Sequence, residues 1–204
     1  MARIDDYENA RKLAAEKLSA IAFETIVTYS GFDPADGENF YIPFLNRIYI
    51  VKYPNFQFQS EDEHEIPVQE QVLLLHYLSG RPQKESSRWI AYREIPGASF
   101  YFSAFVKRAI DPLKKVFGKQ LKILKHVAHK LNARPIEFGD LGLEFQILPN
   151  IAMQIVMWEG DEEFPPEANI LFPDNIHEIL SPEDIAWLSG MLVYRLIGLK
   201  KDNE

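Results

Sequence analysis

Residues 40–53 read FYIPFLNRIYIVKY, and this stretch decides the fold class. The segments Phe40–Leu45 and Ile48–Tyr53 are rich in aromatic and β-branched residues, which favour strands, and the dipeptide Asn46–Arg47 separates them. Two such segments joined by two residues are typical of a β-hairpin. We therefore predict that they pair antiparallel, and that Phe56–Gln59 adds a third strand.

On the N-terminal side of this hairpin, apolar residues recur at helical spacing from Asp5 to about Ser30. Gly31 follows, and a glycine at that position commonly ends a helix. We predict one long amphipathic helix. Residues 33–37, Asp-Pro-Ala-Asp-Gly, have the composition of a turn.

On the C-terminal side, helical and strand patterns are mixed without the regular alternation that builds a parallel sheet. The predicted helices are Val68–Leu78, Phe100–Phe117 with a kink near Pro112, Lys119–Leu131, and Pro182 to about Leu199. The predicted strands are Arg88–Ile95, Ile136–Phe138, Leu143–Leu148, Ile151–Trp158 and Asn169–Phe172. We expect one α+β domain over residues 1–204, with a mostly antiparallel sheet packed with about four to five helices.

The composition is that of a globular protein, with 47% hydrophobic, 13% aromatic and 25% charged residues among 204. There is no cysteine, which excludes disulfides, thiol catalysis and an iron–sulfur cluster held by this chain's own thiolates. The first residues carry scattered charges rather than the apolar run of a signal peptide, and the longest apolar stretches are far below the ~20 residues that span a bilayer. We therefore expect a cytoplasmic protein with no membrane partner.

Charge is unevenly distributed along the chain. Lys107–Lys130 holds eight basic residues and one acid, a net charge of +7, although the net charge of the chain is −8. Residues 135–194 hold twelve acids and no Lys or Arg. Either the two tracts solvate separate surfaces or face each other, or the basic helix contacts a phosphate, an acidic cofactor or a partner. Nucleic acid is disfavoured by the overall acidity and by the absence of a helix-turn-helix or zinc-finger pattern.

The first candidate site is the segment Trp158–Pro166, Trp-Glu-Gly-Asp-Glu-Glu-Phe-Pro-Pro, which follows an apolar predicted strand. It holds four carboxylates within five residues, among them Asp161, Glu162 and Glu163. Such carboxylates can bind a hard cation or shift one another's pKa for proton transfer, and an ordinary exposed acidic turn is the alternative. We expect Trp158 to be buried against the sheet and Glu162 or Glu163 to be exposed.

The second candidate site is the segment from Arg93 to Tyr101. Gly97 and Ser99 precede a predicted helix here, and the free N–H groups at a helix start attract anions. Arg93 would add a positive charge close to such an anion. The alternative is an ordinary capped helix start.

Several segments carry a family resemblance that spans nearly the whole chain: Val68–Leu78, Trp89–Gly97, Gly139–Asp140, Leu148–Pro149, Trp158–Pro165 and Ile170–Phe172. Together they resemble the bacterial and archaeal family known as domain of unknown function 3786, and Trp158–Pro165 is the most specific of them. Members occur largely in anaerobes, and some are joined to a cysteine-bearing iron–sulfur segment. The resemblance therefore implies a protein partner with a redox or corrinoid role. It implies no activity, cofactor or catalytic residue.

No GxGxxG, Walker, GxSxG or HExxH motif is present, so the sequence names no catalytic residue, metal ligand or cofactor. Our leading hypothesis is a binding or accessory module whose surface combines Trp158–Pro165 with Arg93–Tyr101. The alternative is an enzyme that uses Asp161, Glu162 or Glu163 as metal ligands or as an acid/base pair. A third hypothesis is a structural interaction protein that works through its basic helix.

Overall fold

The computed structural model describes residues 4–32, 39–61, 63–81, 86 and 88–201. These residues form helices and two antiparallel sheets, which confirms the α+β class. The chain divides into two compact units. Unit 1 comprises Met1–Lys84, Leu148–Asn150 and Glu178–Leu180, and unit 2 comprises Glu85–Ile147, Ile151–His177 and Ser181–Glu204. The single domain expected over residues 1–204 stays a prediction.

Unit 1 contains a three-stranded sheet whose strands pair antiparallel in chain order: β1 (Asn39–Phe44), β2 (Arg47–Lys52) and β3 (Gln57–Ser60). The predicted hairpin and third strand are confirmed. The tight turn is Leu45–Asn46, one residue earlier than predicted, with positive φ values of 49° and 66°. Two such values are typical of the type I′ turn that suits the twist of a hairpin.

The helices of unit 1 are α1 (Ile4–Ser19), α2 (Phe23–Ser30) and α3 (Val68–Ser79). The prediction of one helix up to Ser30 is wrong, because Ala22 is extended (φ −60°, ψ 143°) between α1 and α2. The break brings the buried Phe23 ring within 4.7 Å of the Phe40 ring, measured between centroids. Gly31 ends α2 in the left-handed region as expected. The turn predicted at residues 33–37 lies outside the described residues.

Buried tyrosines connect the elements of unit 1. The Tyr77 hydroxyl donates to the Ser30 carbonyl at 2.6 Å and accepts from the Asn150 N–H at 3.1 Å. The Tyr49 hydroxyl donates to the Glu70 carboxylate at 2.5 Å. Burial raises the pKa of both hydroxyls well above the ordinary tyrosine value, so both remain donors at any physiological pH.

Unit 2 contains a five-stranded sheet in the order β4-β8-β7-β6-β5, with β4 (Trp89–Ala91), β5 (Arg134–Ile136), β6 (Leu141–Leu148), β7 (Ile151–Trp158) and β8 (Glu167–Pro173). Every residue of β7 from Met153 to Met157 is buried, so both faces of this central strand are covered. The strand predicted over Arg88–Ile95 is wrong beyond Ala91. A 3₁₀ turn follows because the Glu94 carboxylate accepts the Ala91 N–H at 2.7 Å.

The helices of unit 2 are α4 (Phe102–Phe105), α5 (Asp111–Phe117), α6 (Leu121–His129) and α7 (Pro182–Lys201). A π-helical segment, Val106–Ile110, joins α4 to α5 and confirms an interruption near Pro112. On α6 the apolar side chains of Leu121, Leu124, Val127 and Ala128 are buried, and the cations lie on the exposed face. None of the described helices is long and apolar enough to cross a membrane.

Candidate functional site

The loop after β7 is fixed by backbone hydrogen bonds. The Gly160 N–H donates to the Gly118 carbonyl at 2.9 Å, and the Asp161 N–H donates to the Phe164 carbonyl at 3.0 Å. Gly118 is required for this close approach, because a Cβ there would lie 2.4 Å from Cγ of Pro166. The loop is therefore packed against the C-terminal end of α5.

Asp161 organises this loop from within. Its Oδ1 accepts the N–H groups of Phe164 at 2.7 Å and Glu163 at 2.8 Å. These two hydrogen bonds, Phe164 first, lower the pKa of Asp161 below its ordinary value, and the charge of Lys119 lowers it further. The carboxylate therefore stays ionised and serves as a hydrogen-bond acceptor within the turn.

The four acids of the loop do not form a catalytic or metal-binding constellation. Glu159, Asp161, Glu162 and Glu163 are all exposed, which confirms the prediction for the last two. An acid/base enzyme would hold a carboxylate in a cleft with a raised pKa, whereas the pKa of Asp161 is lowered. Among the described residues, no group of three or more His, Asp or Glu side chains is placed to hold a metal ion.

Trp158 is 38% exposed, so the prediction that it is buried is wrong. The buried part of β7 ends at Met157, and Trp158 stands where the strand leaves the sheet. Its ring meets the ring of Phe138 edge to face, with centroids 6.1 Å apart and an interplanar angle of 80°. Phe138 is 50% exposed, and Phe164 in the following loop is 67% exposed. Large aromatic rings are thus partly exposed to solvent at this end of the sheet.

The turn that carries Phe138 is as firmly held as the loop. The Asp140 N–H donates to the Met157 carbonyl at 2.9 Å, and the Asp140 carboxylate accepts the Glu159 N–H at 2.8 Å. Gly139 has φ +68°, and a Cβ there would lie 2.7 Å from the Met157 carbonyl oxygen. We call the exposed rings and the exposed acids around them the acidic–aromatic surface: Phe138, Trp158 and Phe164 with Glu137, Asp140, Glu159, Asp161, Glu162 and Glu163.

In the second candidate segment the α-helix starts at Phe102, two residues later than predicted. A 3₁₀ turn, Ala98–Phe100, precedes α4. The Ala98 N–H donates to the Ile95 carbonyl and the Tyr101 N–H donates to the Ala98 carbonyl, both at 3.0 Å, so these amides are already engaged. The exposed Arg93 guanidinium lies over the Phe102 ring, 3.8 Å from its centroid. Two amides of this segment are therefore already used within the chain, and the anion site at this helix start stays a prediction.

Tyr101 belongs instead to a cluster at the start of α7. Its hydroxyl donates to the Glu183 carboxylate, whose negative charge raises the pKa of Tyr101. The neighbouring Tyr92 hydroxyl donates to the Pro182 carbonyl at 2.7 Å. Burial raises the pKa of Tyr92 well above the ordinary tyrosine value, and the positive charge of Arg108 opposes this shift only in part.

Arg108 completes this cluster. Its guanidinium lies over the Trp187 ring, 4.1 Å from the centroid. Its Nη1 is buried and has no hydrogen-bond partner among the described residues. We call this group the Arg108 cluster: Tyr92, Tyr101, Arg108, Glu183 and Trp187.

The two candidate segments lie at opposite ends of one helical stretch. Tyr101 immediately precedes α4, and Gly118 immediately follows α5. Residues 102–117 between them span about 24 Å at ~1.5 Å per residue. We therefore treat the acidic–aromatic surface and the Arg108 cluster as two separate sites.

The basic tract is divided between two environments. The Lys114 ammonium lies 3.8 Å from the Glu167 carboxylate, and Lys119 influences Asp161. The exposed face of α6 presents Lys122, Lys125, His126 and His129, and none of these four makes an ion pair with the described residues. Within the tract, Lys114 and Lys119 thus lie near acids, whereas the cations of α6 face solvent.

Sequence reasoning missed Phe138, Arg108 and Glu183. Phe138 was assigned to the end of a strand, and the turn that exposes it depends on Gly139. The sequence does contain one feature that points to Arg108. Pro112 stands four residues after it and has no N–H for the Arg108 carbonyl, which is a known cause of local helix distortion.

A family model described as "Domain of unknown function (DUF3786)" matches residues 22–195 of this 204-residue chain. A search of curated proteins and a search of solved structures each returned no match. The matched region includes both sites described above and most of both compact units. The chain therefore belongs to the family described as domain of unknown function DUF3786.

Proposed function

We propose that this protein is a binding module that docks a protein partner on its acidic–aromatic surface. The observation that carries the proposal is the edge-to-face pair of Trp158 and Phe138, whose rings are exposed although the backbone on both sides is fixed. Tryptophan is the residue type most enriched among those that dominate binding energy at protein interfaces. Apolar side chains scattered singly over a surface are normal, whereas adjacent large rings are typical of an interaction site.

The charge around the rings defines the chemistry of the partner. Six exposed acids belong to this surface, and the chain has no Lys or Arg between residues 135 and 194. Complementary charge accelerates association and suppresses wrong partners. The partner we propose therefore presents an apolar side chain inside a basic rim.

We also propose the class of protein to which the partner belongs. The family resemblance supports a protein of redox or corrinoid metabolism. Because this chain has no cysteine, an iron–sulfur cluster in such a complex would be bound by the partner's own thiolates. In this arrangement the protein described here supplies recognition and the partner supplies the redox chemistry.

The proposal is tested first by site-specific photo-cross-linking in the native cell. A photoreactive phenylalanine analogue is placed at Phe164 and, as a matched control, at Phe100, which is 85% exposed but lies in the other candidate segment. We expect one discrete cross-linked protein at Phe164 and none at Phe100. Equal cross-linking at the two positions, or none at either, would contradict a docking role for this surface.

The captured protein is then purified and its affinity measured by calorimetry. Trp158→Ala should weaken binding about 30-fold, the size expected of a dominant interface residue, whereas Phe100→Ala should leave it unchanged. Glu162→Lys combined with Glu163→Lys should slow association and reduce its salt dependence. Parent-like affinity in Trp158→Ala would contradict the proposal even if cross-linking had succeeded.

A further inference from the structure

We infer that the Arg108 cluster is a binding subsite for a small oxyanion, either a phosphate or a carboxylate group. This inference is independent of the docking surface, which lies at the other end of helical residues 102–117. It assigns a ligand to Arg108, not to the helix start near Arg93 where the sequence pattern suggested one. It rests on the backbone that carries Arg108, the direction of its side chain and the hydrogen bond that it lacks.

The backbone around Arg108 is π-helical. Pro112 cannot donate to the Arg108 carbonyl, and the Asp111 N–H reaches back five residues to the Val106 carbonyl. Single π-turns inside helices recur at functional sites. The Arg108 backbone also packs closely on α7, since a Cβ at Gly190 would lie 3.4 Å from its Cβ and its carbonyl oxygen.

The side chain of Arg108 runs along α7 toward the start of that helix. Gly190, Trp187 and Glu183 succeed one another at spacings of three and four residues, so they share one helix face. The Arg108 backbone lies at Gly190 and its guanidinium lies over Trp187. The guanidinium is therefore directed toward the turn that bears Glu183.

The cluster itself offers no acceptor for Nη1 of Arg108 among the described residues. The Glu183 carboxylate and the Tyr92 hydroxyl belong to the cluster, but neither is a hydrogen-bond partner of Nη1. Nearly all buried N–H groups in native proteins are hydrogen-bonded, and one left unpaired is destabilising. An acceptor from outside the chain would satisfy it.

A phosphate or carboxylate group matches the chemistry of the unpartnered Nη1 donor. The planar guanidinium presents its N–H donors in a fork that matches the oxygens of these groups. Arg108, Tyr101 and Trp187 are each partly exposed, so the cluster lies at the protein surface, and a rotation of the guanidinium would bring the buried Nη1 to an anion there. The negative charge of Glu183 opposes the anion, which predicts weak binding in the parent protein.

The test is a titration with phosphate, with acetate, and with chloride at matched ionic strength. Binding is followed through the indole N–H resonance of Trp187, assigned with Trp187→Phe, and through the melting temperature. We expect a saturable shift and a rise in melting temperature with phosphate or acetate but not with chloride. The stronger of the two responses identifies which oxyanion the subsite prefers.

Three variants separate this site from general charge effects. Arg93→Met removes the matched arginine that stacks on Phe102, and should bind like the parent. Glu183→Gln removes the opposing charge and should bind several-fold more tightly. Arg108→Met should lose the response, and its melting temperature in chloride should equal or exceed that of the parent because the unpartnered donor is gone.

Two results would overturn the inference. One is the absence of a saturable response in both the parent and Glu183→Gln, which would mean that Nη1 is satisfied by water. The other is a response in Arg108→Met equal to that of the parent. If Arg108→Met does not fold, Arg108→Lys replaces it, and retention of parent-like affinity with that ammonium would contradict a role for the guanidinium fork.

Discussion

The two sites at the ends of helical residues 102–117 differ in which groups they leave unsatisfied: apolar rings at one end and a hydrogen-bond donor at the other. At the C-terminal end of this stretch, the loop after β7 is held by hydrogen bonds to Asp161 within the loop and from Gly160 to Gly118 at the end of the helical stretch, and it leaves the rings of Trp158 and Phe138 partly exposed. At the N-terminal end, the Arg108 cluster stacks its guanidinium on an aromatic ring, and it leaves the buried Nη1 of Arg108 without a hydrogen-bond partner among the described residues.

This difference separates two kinds of recognition. A protein interface gains its free energy from apolar area and aromatic anchors, and its charged rim selects the partner. A small-molecule subsite is defined by a few polar groups whose hydrogen bonds the ligand completes. The acidic–aromatic surface has the first set of properties and the Arg108 cluster has the second.

The largest effect expected from this comparison is on the free energy of unfolding. Phe105 is 2% exposed and stacks on Tyr92 beside the Arg108 cluster, with centroids 4.2 Å apart and an interplanar angle of 3°. Phe105→Ala should destabilise the protein by about 3–5 kcal/mol in denaturant unfolding, because it leaves a cavity in a covered aromatic core. Trp158→Ala removes a larger ring, but one that is 38% exposed, so it should destabilise the protein clearly less than Phe105→Ala does. Similar losses in both variants would refute the contrast between a covered and an exposed set of rings.

A smaller effect is expected at the glycine that seats the loop. Gly118 has φ −61°, which suits any residue, so only the contacts of a new Cβ oppose a substitution. Gly118→Ala should cost about 1–3 kcal/mol by overpacking against Pro166, and should move the loop. The matched control is Gly198→Ala within α7, where a Cβ would meet nothing within 4 Å. That control should raise stability by about 0.5–1 kcal/mol, and equal behaviour of the two variants would contradict the packed loop.

Much of the fold was predictable because local patterns decide it. The alternation in β1 and β2 is strong enough to specify the hairpin, and only the turn was misplaced by one residue. The break between α1 and α2 was not predictable in this way. Apolar spacing continues through residues 20–22, and the break places Phe23 against Phe40, a residue of the sheet that is distant in sequence.

The same distinction between local sequence and tertiary contacts applies to the candidate sites. The exposure of Glu162 and Glu163 follows from local composition, and it was predicted. The exposure of Trp158 was not, because it depends on where β7 leaves the sheet and on the turn at Gly139. The role inferred for Arg108 depends on its position against Trp187 and Gly190 of α7, which no local pattern reports.

The smallest expected effect concerns the acid that organises the loop. Hydrogen bonds from the Phe164 and Glu163 amides lower the pKa of Asp161 in the folded protein. A group with a lowered folded pKa contributes stability that is fully present above its unfolded pKa, about 3.9 for Asp, and is lost as pH falls through the folded value. The hydrogen bonds of the loop should therefore persist at pH 4 and weaken only at lower pH.

The amide proton shift of Phe164, followed by NMR while the pH is lowered, measures this directly. In the parent, its titration midpoint should lie below about 3.9, the ordinary value for Asp. Asp161→Asn keeps an acceptor oxygen but has no proton to gain, so its Phe164 amide should show no such titration. Glu162→Gln is the matched control, since this neighbouring exposed acid makes neither hydrogen bond, and its titration should match the parent. A parent midpoint at or above the ordinary Asp value would mean that Asp161 does not hold the loop, and the rigidity assigned to the acidic–aromatic surface would then rest on Gly118 and Asp140 alone.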